Sequence, residues 1–364
     1  MKIAVVGGGI NGVMSAWALV KNGHAVTLLE RNQLMRETSR ASTKLLHGGL
    51  RYLEHGLFSL VKQGLRERRW WIDFAPDLCR RQEILLPVYK DSRRSRWLVG
   101  LGIRLYEWLA GSRSLGHSTW LNRVEVLARV HGLQADGLIG AWSFFDGAMD
   151  DEMLGLRAAE QAVCDGLLVR ENCPVEQLNE NGHLCLHGAN HQYDVVVNAA
   201  GPWSKQLLSQ SGIDSRYNID YVRGSHIVLG KKCDVGLLLE YPGAPRIFFV
   251  LPYKGKTLVG TTEILQPVPD AQPPSEDEVN YLLHGYQRYF GNTVDRNSIY
   301  SSFSGVRALI RTSSDPSSAT REYALEIRGK LLSIFGGKWT TSRALGEAVA
   351  NMVEKKWGKQ LGIY

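Results

Sequence analysis

The fold is decided by the stretch Lys2-Ile3-Ala4-Val5-Val6-Gly7-Gly8-Gly9-Ile10-Asn11-Gly12, in which an apolar strand runs into a glycine-rich turn. Gly7, Gly9 and Gly12 have the G-x-G-x-x-G spacing. In this motif the first glycine permits the tight turn, the second lets the backbone approach a pyrophosphate, and the third lets the following helix pack on the strand. Free N–H groups at the start of that helix then point towards the phosphates. The stretch therefore predicts a dinucleotide-binding β-α-β unit.

A second apolar strand, residues 24–29, follows the helix and ends at Glu30, 18 residues after Gly12. A carboxylate at this position can accept hydrogen bonds from both ribose hydroxyls of an adenosine. The alternative is an ordinary acidic residue at the end of a strand. The offset from Gly12 favours the ribose-binding interpretation.

Size, charge and cysteine content narrow the class of protein. The chain has 364 residues, of which 44% are hydrophobic, and this size suggests two closely joined domains. A net charge of +7 favours anionic ligands, an anionic membrane surface or nucleic acid, without choosing between them. The five cysteines are scattered without a C-x-x-C pair, which disfavours a disulfide framework or zinc ribbon and favours a reducing cytoplasm. No apolar run is long enough to span a bilayer, and the N-terminus has the pattern of a Rossmann strand rather than a secretion signal.

Further strand-to-helix turns lie in the middle and near the end of the chain. The apolar strand 193–198 ends in Ala199-Ala200-Gly201-Pro202-Trp203, and the strand 331–335 breaks at Gly336-Gly337-Lys338. Between them, residues 219–264 alternate like antiparallel strands. The predicted fold class is therefore α/β, with a Rossmann-type domain and an interleaved substrate domain built on an antiparallel sheet. The Rossmann-type domain is assigned to residues 1–85, 150–212 and 325–364, and the substrate domain to residues 86–149 and 213–324.

Local signals complete this prediction. A strand over residues 84–89 is expected to open the substrate domain. Asp150 is expected to cap a helix that reaches Cys164, and Ser275 is expected to start a helix with a capping box. The Ser-rich stretch 313–318 is expected to be a surface loop.

Seven motifs, spread in order from residue 7 to residue 341, make the chain similar to the FAD-dependent glycerol-3-phosphate dehydrogenases, within the wider D-amino-acid-oxidase-like flavoproteins. The motifs are Gly7–Gly12, Ser42–Glu54, Asn198–Trp203, Gly224–Val228, Val259–Thr262, Gly305–Arg307 and Phe335–Thr341. Ala308 and Trp339 depart from the family pattern, because proline and leucine commonly follow the arginine and the lysine. The family usually carries a further helical domain after the Gly-Gly-Lys segment, and we expect this chain to lack it.

The resemblance implies an FAD cofactor bound in extended form. The residues implied to bind it are Gly7, Gly9, Asn11, Gly12, Glu30, Arg31, Ser42, Thr43, Leu45, Gly48, Gly49, Val175, Gly201, Trp203, Gly337, Lys338, Trp339 and Thr340. Within this set, Gly48 and Gly49 are placed along the isoalloxazine, and Gly201 and Trp203 near the adenosine. Backbone N–H groups of the turn at Gly337 are placed at the N1/O2 edge of the flavin, where positive potential stabilises the reduced cofactor.

The implied substrate is a small phosphorylated polyol that is oxidised at a secondary alcohol. Arg51 and Arg307 offer guanidinium forks, which match phosphate geometry better than an ammonium group does. Structural ion pairs are the alternative for both arginines. Tyr52 is expected to hydrogen-bond the substrate.

Oxidation also needs a group that accepts the hydroxyl proton. The catalytic histidine of the family maps to His47, and His226, in another matching motif, is the second choice. Lys338 is expected to hold the alkoxide or a flavin carbonyl. The alternatives are structural roles, as buried histidines and as a plain lysine at a helix start.

The segment 93–109 is basic, aromatic and amphipathic, and is typical of a helix lying in the plane of a membrane. The alternative is a helix packed on the second domain with its basic residues in water. We expect a cytoplasmic protein, with peripheral contact at the inner face of the cell membrane left open, and quinone, oxygen or a carrier as electron acceptor. Because the basic residues are dispersed, nucleic-acid binding is not expected.

No metal site is expected either. His183, His187 and His191 have a four-residue spacing, but they interleave with Gly182 and Gly188 in a hairpin-like segment. This spacing therefore does not place them on one helix face.

Two other functions stay open. One is oxidation of a 2-hydroxy acid or an amino acid, in which one arginine would grip a carboxylate. The two arginines, together with the Gly-Val-Arg and Gly-Gly-Lys motifs, favour a phosphate instead. The other is a flavin-binding or membrane-surface protein without catalytic activity.

Overall fold

The computed structural model describes residues 1–244, 246–291, 294–311 and 323–358. The strands in these ranges are β1 (Lys2–Val6), β2 (Ala25–Leu29), β3 (Leu45–Leu46), β4 (Cys79–Tyr89), β5 (Thr119–Asn122), β6 (Leu138–Met149), β7 (Leu168–Arg170), β8 (Val175–Leu178), β9 (His183–Leu186), β10 (Ala189–Gln192), β11 (Val195–Asn198), β12 (Ile219–Leu229), β13 (Gly236–Glu240), β14 (Ile247–Tyr253), β15 (Lys256–Gly260), β16 (Ile264–Gln266), β17 (Ile299–Ile310), β18 (Tyr323–Arg328) and β19 (Leu331–Gly336). The helices are α1 (Ile10–Lys21), α2 (Phe58–Phe74), α3 (Arg96–Ala110), α4 (Arg123–Arg129), α5 (Asp151–Cys164), α6 (Ser204–Gln210), α7 (Glu276–Phe290) and α8 (Ser342–Trp357).

The first sheet has six strands in the order β18-β19-β11-β1-β2-β7, all parallel except β18. Val5 pairs with Val197 on one side and Leu28 on the other. Such strands are covered on both faces, so they are apolar along their whole length. Helix α1 packs against α5 and α8 over this sheet. The predicted β-α-β unit and the Rossmann-type α/β fold class are confirmed.

The second sheet has ten strands, with β16-β12-β15-β14-β13-β4-β6-β3 as its main path, β17 on β12 and β5 on β6. Its neighbours are antiparallel, except for the parallel pair β4 and β13. Helix α7 covers part of one face, where Leu282 and Tyr286 join a core with Phe248. Strands β8, β9 and β10 form a separate small sheet.

Several local predictions are confirmed. Asp150 caps α5 by accepting a hydrogen bond from the Met153 amide, and Ser275 forms a capping box with Glu278 at the start of α7. The segment that includes residues 96–109 is helix α3, with Ser95 as its N-cap. The stretch 313–318 lies outside the described residues.

Strand β4 of the large sheet begins earlier than expected. Strand β4 starts at Cys79 rather than residue 84, because it pairs with β6 along its whole length. Strand β3 also joins this sheet, although it lies within the first segment assigned to the Rossmann-type domain. The exact domain boundaries stay a prediction. No described helix is both long and apolar enough to cross a bilayer.

Candidate active site

A cavity of about 530 Å³ lies where the carboxyl ends of β1, β11 and β19 meet β12 and β17 of the large sheet. Val6 and Ala199 border it from the first sheet, and His226 and Arg307 from the second. Ligands of open α/β sheets bind at the carboxyl ends of the strands, as here.

Two glycines make the first turn possible. Gly7 has a φ of +110°, and a Cβ there would lie 2.5 Å from the Ala199 carbonyl oxygen. A Cβ on Gly12 would lie 1.9 Å from the Gly7 carbonyl oxygen, so α1 packs directly against the turn. Gly7 and Gly9 border the cavity, whereas Gly12 acts in this packing and is outside the described cavity wall.

The residues expected to bind the adenosine border this cavity. Glu30 is buried, and its carboxylate accepts hydrogen bonds from the amides of Gly8 at 2.6 Å and Asn32 at 2.8 Å. The Arg31 guanidinium lies 4.0 Å from the ring centroid of Trp203. Trp203 in turn donates from Nε1 to Asp270. Val175 and Gly201 border the same cavity.

Ser39 is a cavity residue that the sequence did not single out. Its Oγ accepts a hydrogen bond from the Ile10 amide at 2.9 Å, and its carbonyl accepts one from Trp339 Nε1 at 3.0 Å. Ser39 therefore joins the N-terminus of α1 to the turn that follows β19. Nothing in the sequence distinguishes it from the neighbouring polar residues of its loop.

The turn after β19 faces α1. Gly336 and Gly337 have φ values of +74° and +94°, and a Cβ on Gly337 would lie 2.5 Å from Asn11 Nδ2. Asn11 donates from Nδ2 to the Gly336 carbonyl at 3.2 Å. Its Oδ1 is buried at the cavity and has no hydrogen-bond partner among the described residues. A buried acceptor of this kind fits a ligand that brings a donor.

Most of the residues predicted to act on a substrate also border the cavity. His47, Tyr52, His226, Arg307 and Lys338 all border it. Lys338 Nζ lies 4.1 Å from the centroid of the Tyr52 ring. The His47 amide donates to Thr340 Oγ1 at 3.3 Å. Ser42, Thr43, Leu45, Gly337, Trp339 and Thr340 border the cavity as well.

Arg51 and two glycines of its motif lie elsewhere. Arg51 is half-buried in the short 3₁₀ helix Leu50–His55, in which Tyr52 rather than Arg51 borders the described cavity. Gly48 and Gly49 are also outside the cavity wall, since Gly48 packs against Leu65 and Gly49 against the Tyr52 ring. Of the two arginines predicted to bind phosphate, Arg307 borders the described cavity and Arg51 does not. The substrate-binding role of each stays a prediction.

Arg307 is held by backbone and side-chain acceptors. Its guanidinium donates to the Thr262 carbonyl at 3.2 Å and to the Glu263 carboxylate at 3.4 Å. The side chain remains 32% exposed and borders the cavity. An anion that binds to Arg307 would therefore compete with the Glu263 carboxylate for the guanidinium.

The position of Thr262 is fixed by Glu278, which the sequence identified only as part of a capping box. The buried carboxylate accepts hydrogen bonds from Ser225 Oγ at 2.7 Å, Thr262 Oγ1 at 2.8 Å and Arg223 at 2.6 Å. Burial opposes ionisation of Glu278, but these donors and the Ser275 amide outweigh it and lower its pKa to about 2. The charged Glu278 carboxylate thus supports the connection between β15 and β16, which carries the two acceptors of Arg307.

His226 is buried with 2% exposure, and its ring stacks on Phe303. Nε2 lies 3.0 Å from Thr43 Oγ1, while Nδ1 has no partner in the described part of the chain. Burial, followed by the positive charges of Arg307 and Lys44, lowers the pKa of His226 to about 3. The ring is therefore neutral at physiological pH and is a poor proton acceptor.

A buried ion pair supports the loop that carries Ser42 and Thr43. Lys44 Nζ lies 2.8 and 2.9 Å from the two oxygens of Asp151, which also accepts from Ser42 Oγ at 2.7 Å. Burial raises the pKa of Asp151, against the opposing effects of Lys44 and Ser42. Sequence analysis assigns no role to this pair, because Lys44 and Asp151 are 107 positions apart.

The model of the family described as FAD dependent oxidoreductase (DAO) matches residues 2–352 of this chain. The chain belongs to this family. FAD is therefore its cofactor, and the orphaned Asn11 Oδ1 and the crowded glycine turns fit such a group. The FAD cofactor predicted from the resemblance is confirmed.

Curated relatives carry the name that the resemblance suggested. The aerobic glycerol-3-phosphate dehydrogenase of Escherichia coli is 34% identical over 95% of this chain and 72% of its own length. The human mitochondrial glycerol-3-phosphate dehydrogenase is 32% identical over 99% of this chain and 54% of its own length. The chain thus spans about half the length of its mitochondrial relatives.

Solved structures show the same fold. The glycerol-3-phosphate dehydrogenase of Bacillus halodurans, complexed with FAD, has a TM-score of 0.77 and 23% identity, and the match covers 100% of this chain and 65% of that one. Glycine oxidase from Geobacillus kaustophilus has a TM-score of 0.74 and 19% identity, covering 97% and 94%.

Proposed function

We propose that this chain oxidises glycerol-3-phosphate, or a related phosphorylated polyol, to the ketone, which for glycerol-3-phosphate is dihydroxyacetone phosphate. One observation carries the proposal: Arg307, Lys338 and His47 border the same cavity as the glycine turn that opens the Rossmann-type sheet. Relatives named glycerol-3-phosphate dehydrogenase, 31–34% identical over nearly the whole chain, support it.

FAD, when bound, supplies the hydride acceptor. We assign the adenosine to Glu30, Arg31, Val175, Gly201 and Trp203, since all five border the cavity and Arg31 stacks on Trp203. The pyrophosphate is assigned to the turn of Gly7 and Gly9 and to Asn11, at the start of α1. The flavin end is assigned to Ser42, Thr43, Leu45, Gly337, Lys338, Trp339 and Thr340.

The substrate phosphate is assigned to Arg307. An incoming dianion would exchange with Glu263 on the guanidinium, whose bidentate geometry suits a phosphate. Lys338, above the Tyr52 ring, is assigned to the oxygen that loses its proton, because an ammonium group stabilises a developing alkoxide.

His47 is the proton acceptor that we favour. Both histidines border the cavity, but the low pKa of His226, about 3, makes protonation of that ring unfavourable. His226 instead holds Thr43 through Nε2. In this assignment His47 takes the hydroxyl proton while Arg307 keeps the substrate in place.

We also propose that the chain contacts anionic membranes through α3 and passes its electrons to an acceptor there, such as a quinone. Trp97, Leu101 and Trp108 are 72%, 68% and 75% exposed on this helix. Arg96 and Arg104 lie on the same helix, as expected for an in-plane membrane helix.

Anaerobic stopped-flow reduction of the FAD-loaded protein tests the catalytic proposal. Glycerol-3-phosphate should bleach the visible flavin absorbance, whereas glycerol, L-lactate and glycine at equal concentration should not. Bleaching by glycine or lactate alone would favour an amino-acid or hydroxy-acid oxidase, and no bleaching with any compound would favour a non-catalytic flavoprotein. The His47→Asn variant should retain FAD but be reduced more slowly. Unaltered reduction kinetics would transfer the role to His226.

A further inference from the structure

Three buried polar side chains from different elements meet beneath the loop that carries His47. They are Arg68 of α2, Tyr106 of α3 and Asp146 of β6, with 1%, 3% and 4% exposure. Arg68 donates to Asp146 Oδ1 at 2.7 Å, and the Tyr106 hydroxyl donates to the same oxygen at 2.8 Å. Arg68 also donates to the carbonyls of Phe145 and Arg113, both at 3.1 Å. Hydrogen bonds to backbone carbonyls, as well as the ion pair with Asp146, therefore hold Arg68 in place.

The Tyr106 hydroxyl has a second bond, to the loop itself. It accepts a hydrogen bond from the Gly48 amide at 2.7 Å. Burial, with the neighbouring Asp146 carboxylate, raises the pKa of Tyr106, so the phenol keeps the proton that it donates. One hydroxyl thus accepts from the loop and donates to a buried carboxylate.

The contact leaves little freedom at this point of the chain. A Cβ on Gly48 would lie 2.6 Å from Leu65 Cγ and 2.7 Å from the Tyr106 hydroxyl oxygen. The preceding amide, that of His47, donates to Thr340 Oγ1 at 3.3 Å. Two successive amides are therefore fixed from different elements, next to the side chain that borders the cavity.

We propose that Tyr106 is a positioning residue: its hydroxyl holds the Gly48 amide and thereby sets where the imidazole of His47 lies in the cavity. This inference rests on the proposed function, in which His47 accepts the substrate proton. Tyr106 is outside the described cavity wall, so it acts through the backbone of the loop. Reaction rates respond to small displacements of a catalytic group, and a shift of about 1 Å can cost on the order of 100-fold.

The Tyr106→Phe variant removes this one oxygen and keeps the ring. Tyr89→Phe is the matched control, because Tyr89 is equally buried, at 3% exposure, and its hydroxyl donates to the Gln134 carbonyl at 2.9 Å, outside the described cavity wall. Both variants lose one buried hydroxyl. Only Tyr106→Phe should change the loop at the site.

Two readouts are needed. By hydrogen-exchange mass spectrometry of the FAD-loaded protein, the peptide containing Gly48 should exchange about 5- to 10-fold faster in Tyr106→Phe and unchanged in Tyr89→Phe. In anaerobic stopped flow, the limiting rate of flavin reduction by glycerol-3-phosphate should fall about 10- to 100-fold in Tyr106→Phe. The substrate concentration at half-maximal rate should not change, since Arg307 is untouched.

Equal exchange of the Gly48 peptide in both variants would overturn the inference, as would a limiting rate equal to that of Tyr89→Phe. If the wild-type protein is not reduced by glycerol-3-phosphate, the proposed function fails. The exchange comparison would then still decide whether Tyr106 fixes the loop.

Discussion

Asn11 donates a hydrogen bond from Nδ2 to the carbonyl oxygen of Gly336 at 3.2 Å, across 325 positions of sequence. The bond joins the first turn of α1 to the turn after β19, and both turns border the cavity. It also orients the buried Asn11 Oδ1 that lacks a partner in the described chain. One amide thus connects the proposed pyrophosphate and flavin regions.

The Asn11→Ala variant should bind FAD more weakly. The variant loses the hydrogen bond to the Gly336 carbonyl and the Asn11 Oδ1 acceptor at the cavity. A buried hydrogen bond of this kind contributes about 0.5–1.5 kcal/mol. The dissociation constant for FAD should therefore rise about 2- to 13-fold, measured by titrating the FAD-free protein with the cofactor. Asn122→Ala is the control, because Asn122 caps α4 outside the described cavity wall. An equal loss of affinity in both variants would contradict this assignment.

The Arg307→Ala variant should raise KM for glycerol-3-phosphate. A hydrogen bond to a charged group contributes about 1.5–3 kcal/mol, so KM should increase about 10- to 150-fold in steady-state assays. Arg311→Ala removes another arginine of the same region, one that pairs with Asp220. An unchanged KM in Arg307→Ala, or an equal increase in Arg311→Ala, would argue against a phosphate contact at Arg307.

Acidification should destabilise the FAD-loaded protein through His226. Its pKa is about 3 in the folded state, below the ordinary value of 6.5, so the unfolded chain binds the proton first. The contribution of the neutral His226 ring to the free energy of unfolding is therefore complete above pH 6.5, and it is lost as the pH falls towards 3. The loss attributable to this one ring should reach about 2 kcal/mol at pH 5.

Urea unfolding of the wild type and His226→Gln between pH 8 and pH 5 measures this effect. The variant should show a smaller loss of unfolding free energy over the range, because it lacks the titrating ring. His55→Gln is the control, since His55 is exposed. Parallel pH profiles for the wild type and His226→Gln would contradict the buried, neutral state of this ring.

The sequence predicted the elements that depend on local patterns. The glycine turn before α1 and the capping box of Ser275 are confirmed because each works within a few residues. The predicted start of strand β4, residue 84, is wrong. Arg80 and Arg81 interrupt the apolar pattern before it, although both are exposed residues of a strand that is paired with β6. The hydrophobic periodicity of a segment does not show whether that segment pairs with a strand that is distant in sequence.

Contacts across long separations account for the rest of the site. Lys44 contacts Asp151 across 107 positions, and Gly48 contacts Tyr106 across 58 positions. At Arg51 the motif alone was not sufficient. The motif suggests a phosphate contact for Arg51, but in the local 3₁₀ helix it is Tyr52 that borders the described cavity. A motif identifies the loop that matters, and the fold decides which of its side chains border the site.

The exposed aromatic residues of α3 predict binding to anionic vesicles. Trp97 and Trp108 lie on the solvent-exposed side of the helix, while Val99, Ile103 and Tyr106 are buried. The FAD-loaded protein should co-sediment with phosphatidylglycerol-containing vesicles more than with pure phosphatidylcholine vesicles, and less at high salt because ions screen the arginines.

The double variant Trp97→Glu/Trp108→Glu should bind these vesicles at least about 10-fold more weakly, since it loses two large apolar groups and adds two negative charges. Val124→Glu provides the control, because Val124 is 77% exposed on α4 and has the same kind of apolar surface outside α3. Flavin reduction by glycerol-3-phosphate should be equal in all three proteins, as these side chains lie outside the described cavity wall. Co-sedimentation that is the same for the wild type and the double variant would exclude α3 as the membrane contact, because the altered side chains are the most exposed aromatic groups on that helix.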